Sequence, residues 1–166
     1  MVSPQEVKAA SIRLEDKNIK FRTYLKCHAD EETLDKQFLE LHNELFADYD
    51  CSQCCNCCKE YSGSFDDGEK EVAAAANYMK LSVSEFKAKY IKEINGNYQA
   101  NECPCTFLSE EMECILGDAK PDTCKKFPYT NQPERLWSLL NVLEFASVCP
   151  IVFEILEQLK KIYRFR

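Results

Sequence analysis

The sequence predicts an α+β fold, mostly helical: a small, metal-organised single domain with a short β hairpin or sheet and a C-terminal helix. Three observations predict it. Apolar residues recur at helical spacing in several segments, notably Leu34, Phe38, Leu41 and Leu45, and again Val152, Ile155, Leu156, Leu159 and Ile162. Thr106-Phe107-Leu108 and Glu113-Cys114-Ile115-Leu116 flank an acidic tip in the manner of a hairpin. Eleven cysteines in a chain of 166 residues suggest thiolate-bound metal.

Along the chain, residues 1–26 mix charges with scattered apolar side chains and predict a short helix or arm. Asp30-Glu31-Glu32 suits a helix N-terminus and introduces the first clear stripe, so a helix is expected over 31–47. After the cysteine segment 51–58, the polar string from Ser62 to Gly68 reads as a loop. Ala and Glu enrichment with Val72 and Met79 predicts a helix over 69–80. Ser82 or Ser84 caps another helix, carrying Phe86, Tyr90, Ile91 and Ile94 and broken near Asn95-Gly96. Pro121, Pro128 and Pro133 forbid a long helix in their region, and the apolar stretch 135–143 reads as a strand. The final helix starts at Pro150 and ends in Lys160-Lys161 and Arg164.

No Pro-, Gly- or Ser-rich linker interrupts the chain. Residues 1–50 are therefore read as an N-terminal helical segment packed on a cysteine-cluster metal-binding domain over 51–166, one structural unit overall.

Composition excludes several functions. Lys plus Arg number 21 against 28 Asp plus Glu, and a net charge of −7 argues against nucleic-acid binding. No apolar stretch of signal or membrane length opens the chain, so a cytoplasmic protein with no membrane partner is expected. The four glycines, at 63, 68, 96 and 117, form no phosphate-cradling cluster, which removes ATP and NAD chemistry from the expectations. A disulfide scaffold would call for an export signal and an even cysteine count.

Cys51-x-x-Cys54-x-x-Cys57-Cys58 puts four thiols in eight residues, and a two-residue gap lets a tight turn aim two sulfurs at one ion, at ~2.3 Å for zinc. The adjacent pair Cys57-Cys58 diverges in most backbone conformations and suits two sites or a multinuclear cluster. Cys105, Cys114, Cys124 and Cys149 follow at long intervals, and a metal that gathered them would contribute on the order of 10 kcal/mol to folding.

These residues carry a resemblance. The order Cys51, Cys54, Cys57-Cys58, then Cys105-Thr-Phe107-Leu108, Cys114-Ile115, Pro121-x-x-Cys124-Lys-Lys-Phe127-Pro128 and Cys149-Pro150 is similar to the YkgJ-type cysteine-cluster family. Its members are described as zinc- or iron-chelating proteins and are related to the flagellin lysine N-methylases. The resemblance covers about 51–150, with a helical insert between about 69 and 94. It departs from the family at Cys55, where glycine is usual, at Lys120-Pro121, where Arg-Pro is usual, and at Ile151, where glycine is common.

The resemblance implies eight metal ligands: Cys51, Cys54, Cys57, Cys58, Cys105, Cys114, Cys124 and Cys149. It also implies zinc, about two ions, with iron or a 4Fe-4S cluster as the alternative. Cys27, Cys55 and Cys103 lie outside the pattern. The implied function is metal chelation, with a role in metal handling or in binding a protein partner. The alternative is an Fe-S enzyme or enzyme component for methyl transfer to protein lysine.

Other residues receive plain readings. His28 and His42 are surface or helix-face side chains, and Cys27 lacks the orienting partner a nucleophile needs. Phe127, Tyr129, Trp137 and Phe145 are read as packing. Asp66-Asp67 and Glu110-Glu111 are read as solvated, and Lys160, Lys161, Arg164 and Arg166 as cations complementing a helix C-terminus.

Overall fold

The computed structural model describes residues 1–166 and is α+β, mostly helical. In chain order come α1 (Val7–Arg13), α2 (Glu15–His28), α3 (Glu31–Phe46), α4 (Cys51–Cys54), α5 (Asn56–Glu60), β1 (Ser64–Phe65), α6 (Glu69–Tyr78) and α7 (Val83–Tyr90). There follow β2 (Ile91–Ile94), β3 (Asn97–Ala100), a 3-10 turn (Gly117–Ala119), α8 (Asp122–Lys126), α9 (Leu139–Phe145) and α10 (Pro150–Ile162). The chain divides into two compact units, Met1–Asp50 with Pro128–Arg166, and Cys51–Phe127. No helix is long and apolar enough to cross a membrane.

The first unit is helical throughout. Asp30 caps α3, its carboxylate accepting from the Thr33 N–H at 2.9 Å and the Thr33 hydroxyl at 2.7 Å. Leu34, Phe38 and Leu41 then fall on one face and are buried, as the sequence predicts. The helix packs against α10, which begins with Pro150 in its first turn and buries Ile151, Val152, Ile155, Leu156 and Leu159. Each fully buried side chain of this size contributes about 1.5–3 kcal/mol of hydrophobic stabilisation. The N-terminal arm is two helices, α1 and α2, with Val7, Phe21 and Leu25 fully buried.

Three expectations change in this unit. The predicted strand 135–143 is instead a turn over 135–138 followed by the start of α9. Its leucines are good helix formers, and Leu139, Val142 and Ala146 fall on one helical stripe and are buried. Trp137 is not packing, since it is 69% exposed, donates its indole N–H to Glu31 at 3.0 Å and lies under the Lys26 ammonium. Lys160 is a buried cation rather than a solvated helix end, donating to Asn18 Oδ1 at 2.5 Å and Glu157 Oε1 at 2.6 Å.

The second unit carries the sheet. Ser82 and Glu85 form a capping box that starts α7, but the helix stops at Tyr90, short of the predicted Ile94. Asn95 (φ 52°) and Gly96 (φ 81°) are both left-handed, the geometry of a two-residue hairpin turn, so Ile91–Ile94 fold back onto β3. β1 joins the far side of β3, giving the antiparallel order β1-β3-β2 and placing a short strand inside the predicted 62–68 loop. The hairpin predicted at 106–116 contracts to one bridge, Leu108 to Cys114. A core of Phe65, Val72, Ala76, Phe86, Phe107 and Leu116 lies beside this sheet, with the Phe86 and Phe107 rings stacked at 5.7 Å. Cys105 and Cys114 pack against that core.

Candidate metal centre

Seven of the eight cysteines with implied ligand roles lie in the unit Cys51–Phe127, and Cys149 belongs to the other unit. The first four sit on two single helical turns. Cys51 and Cys54 are the ends of α4, three residues apart and so on one helical face. Cys55 then turns left-handed (φ 50°, ψ 15°), and α5 begins at once with Cys57 and Cys58 in its first turn. A residue with Cβ pays for this conformation, which explains why glycine suits the position. Cys55 is buried and aims its thiol at the Met112 carbonyl, 2.8 Å away, and at the Ser52 carbonyl, 3.1 Å away. Its sulfur is thereby committed to backbone oxygens, and burial pushes its pKa up.

Cys58 connects the halves of the motif. Its carbonyl accepts from the Cys105 N–H at 2.8 Å, bringing the two cysteine segments side by side. Its sulfur lies 4.0 Å from that of Cys57. The hydrogen bond from Cys57, aided by Lys120 and Lys59, lowers the Cys58 pKa to about 7 against the cost of burial.

The other three thiols come from different elements. Cys105 lies ahead of Phe107, and the Leu108 N–H returns to the Cys105 carbonyl at 2.9 Å. Cys114 opens a turn closed by the Gly117 N–H, which donates to the Cys114 carbonyl at 3.0 Å. Cys124 rides on α8, which is tied to β1 by the Thr123 hydroxyl bonding the Ser64 carbonyl at 2.5 Å. Burial raises the pKa of Cys124 to about 11, and burial raises that of Cys114 too. Cys58, Cys105 and Cys114 each act electrostatically on Cys124, as Cys105 and Cys58 do on Cys114. Four thiols from four segments therefore form one neighbourhood.

Gly63 is its floor. A Cβ there would stand 3.4 Å from the Cys124 sulfur and 4.0 Å from that of Cys105, so glycine keeps this side of the sulfurs clear. Sequence reasoning missed Gly63, because nothing local distinguishes it from a loop glycine. No three His, Cys, Asp or Glu side chains close to metal-ligating geometry. The donor set is nonetheless all sulfur, the chemistry that zinc and iron-sulfur centres share.

Of the remaining candidates, Cys149, Cys27, His28 and His42 belong to the helical unit and Cys103 to the cysteine-rich one. Cys149 is buried at the N-cap of α10, its N–H bonded to the Phe145 carbonyl at 2.8 Å. Cys27 is exposed near the end of α2, and Cys103 is exposed with its thiol 3.6 Å from the Lys59 carbonyl. His28 stacks on Tyr24, and His42 bonds Thr130 at 2.8 Å, both within the helical unit. Asp66, Asp67, Glu110 and Glu111 are exposed, as read from the sequence.

Comparison with known proteins places residues 50–150 in the match to one family model, CxxCxxCC, described as a putative zinc- or iron-chelating domain. No solved structure matches the chain.

Proposed function

Because the chain belongs to the CxxCxxCC family of zinc- or iron-chelating domains, we propose that thiolate-bound metal, zinc in the first instance, organises its cysteine-rich unit and supports a role in metal handling or partner binding. The observation that carries this reading is the grouping of Cys58, Cys105, Cys114 and Cys124 beside Gly63. These four are the ligands of the first ion. Cys51, Cys54 and Cys57 are those left in the same unit for a second, while Cys149 enters on the sequence resemblance alone.

A bound ion supplies a cross-link among α5, the Cys105 and Cys114 turns and α8, on the order of 10 kcal/mol of folding free energy. The thiol side chains rotate about χ1 to close on it. A zinc held by four thiolates leaves no position for water, so such a site is structural rather than hydrolytic. Its net charge of −2 is offset by Lys59 and Lys120, which already act on these thiols. All-thiolate coordination suits the reducing cytoplasm, where we place the protein.

The test is elemental analysis, acid-labile sulfide and an absorption spectrum on protein purified without oxygen. Stoichiometric zinc without sulfide or colour is the expected result. Iron with sulfide would replace it by the Fe-S reading and bring methyl transfer forward. Protein that folds fully with no metal would refute both. Cys124→Ser should lose metal and Cys27→Ser should not; equal losses would overturn the ligand assignment.

A further inference from the structure

The Cys114 turn carries more design than its thiol. Leu116, two residues on from Cys114, is fully buried in the core. The next residue, Gly117, has φ +50° and returns its own N–H to the Cys114 carbonyl. That bond closes the turn begun at Cys114, and the chain leaves the turn through a left-handed residue 117, a conformation that L side chains rarely adopt. Space is limited as well, by the half-exposed Tyr78 side chain. A Cβ at 117 would overlap the Tyr78 hydroxyl and stand 2.9 Å from its Cζ, with Tyr78 projecting from the end of α6. Gly68 offers a contrast in the same unit: it has φ +54°, yet a Cβ there meets nothing within 4 Å.

We propose that Gly117 is a positioning residue of the metal centre: packed against Tyr78, it closes through its N–H on the Cys114 carbonyl the turn that presents the Cys114 sulfur. Groups behind a ligand fix its orientation, and their loss typically costs 10–100-fold in metal affinity, about what is expected here. A side chain at 117 drives the backbone from its left-handed region and presses on Tyr78. The Cys114 turn shifts, and ligand distances must hold to about ±0.2 Å. This inference rests on the metal reading above.

The experiment compares zinc affinity, by competition with a chromophoric chelator, and metal-free stability, by urea, for the wild type and three variants. Gly117→Ala should bind zinc at least tenfold more weakly than wild type. Gly68→Ala also places a side chain at a positive φ, with no Cβ overlap, so it should lose stability but keep zinc affinity. Tyr78→Ala/Gly117→Ala removes the overlap and should recover part of the affinity, which also covers the case in which Gly117→Ala alone fails to fold. Affinity of Gly117→Ala within twofold of wild type would overturn the proposal, as would an equal loss in Gly68→Ala. No recovery in the double variant would overturn the part assigned to Tyr78. Wild-type protein that binds no zinc would instead overturn the metal reading on which this stands.

Discussion

A branched side chain at position 63 has to enter the space beside the thiols. The ideal Cβ lies 3.4 Å from the Cys124 sulfur and 4.0 Å from that of Cys105, ordinary contact distances, so Gly63→Ala fits. Each further carbon reaches about 1.5 Å beyond Cβ, so a valine γ-methyl pointed at Cys124 would stand about 2 Å from its sulfur. Either the sulfurs or β1 must yield. Thr123 binds the Ser64 carbonyl and the Ala100 N–H binds the Gly63 carbonyl at 2.8 Å, so this backbone is held from both sides. The thiols give way instead, and overpacking of this kind costs about 1–3 kcal/mol. Gly63→Val should therefore lower the urea midpoint of the metal-free protein by that amount and reduce bound metal, while Gly63→Ala changes both little. Bound metal in Gly63→Val equal to wild type at an unchanged midpoint would refute the reasoning that these sulfurs and this floor form one site.

Three further outcomes are expected. Cys55→Gly relieves the left-handed strain but gives up a buried thiol and its bond to Met112, so its stability should stay within about 1 kcal/mol of wild type, whereas Cys55→Val should lose about 2 kcal/mol; metal content should follow wild type in Cys55→Gly. Phe107→Ala removes a ring stacked on Phe86 in the core beneath Cys105 and should cost about 3–5 kcal/mol by urea denaturation. Burial holds the His42 ring below its ordinary value of 6.5, so the unfolded chain binds the proton first. The stability that His42 contributes is present above pH 6.5 and lost as the pH falls through the lowered folded value. Thermal melts from pH 7 to 5 should show a shallower fall in His42→Gln than in wild type.

Local signals were legible where one segment carried all the evidence. Asp30-Glu31-Glu32, the Leu34, Phe38 and Leu41 stripe, and the amphipathic run after Pro150 specified α3 and α10 within a residue or two. The errors fall where tertiary context chose between two readings. Residues 135–143 are apolar enough for a strand, and only the helical stripe of Leu139, Val142 and Ala146 against the core turns the part from Leu139 onward into α9. Ile91 and Ile94 continue the α7 pattern, yet pairing with β3 claims them. Asn95-Gly96, read as a helix breaker, was already the signature of that hairpin.

What the sequence determined by itself is the set of donors and the local turns that carry them. Those depend on hydrogen bonds and periodicities spanning about four residues, and they are written in adjacent side chains. What only the tertiary structure decided is the grouping: Cys58 with Cys105, Cys114 and Cys124, Gly63 beneath them, Cys55 turned to Met112, and Lys160 drawn inside to Asn18. These partners stand tens of residues apart, with Lys160 and Asn18 142 apart, and they meet because the cores between them exclude water. No local pattern encodes that meeting.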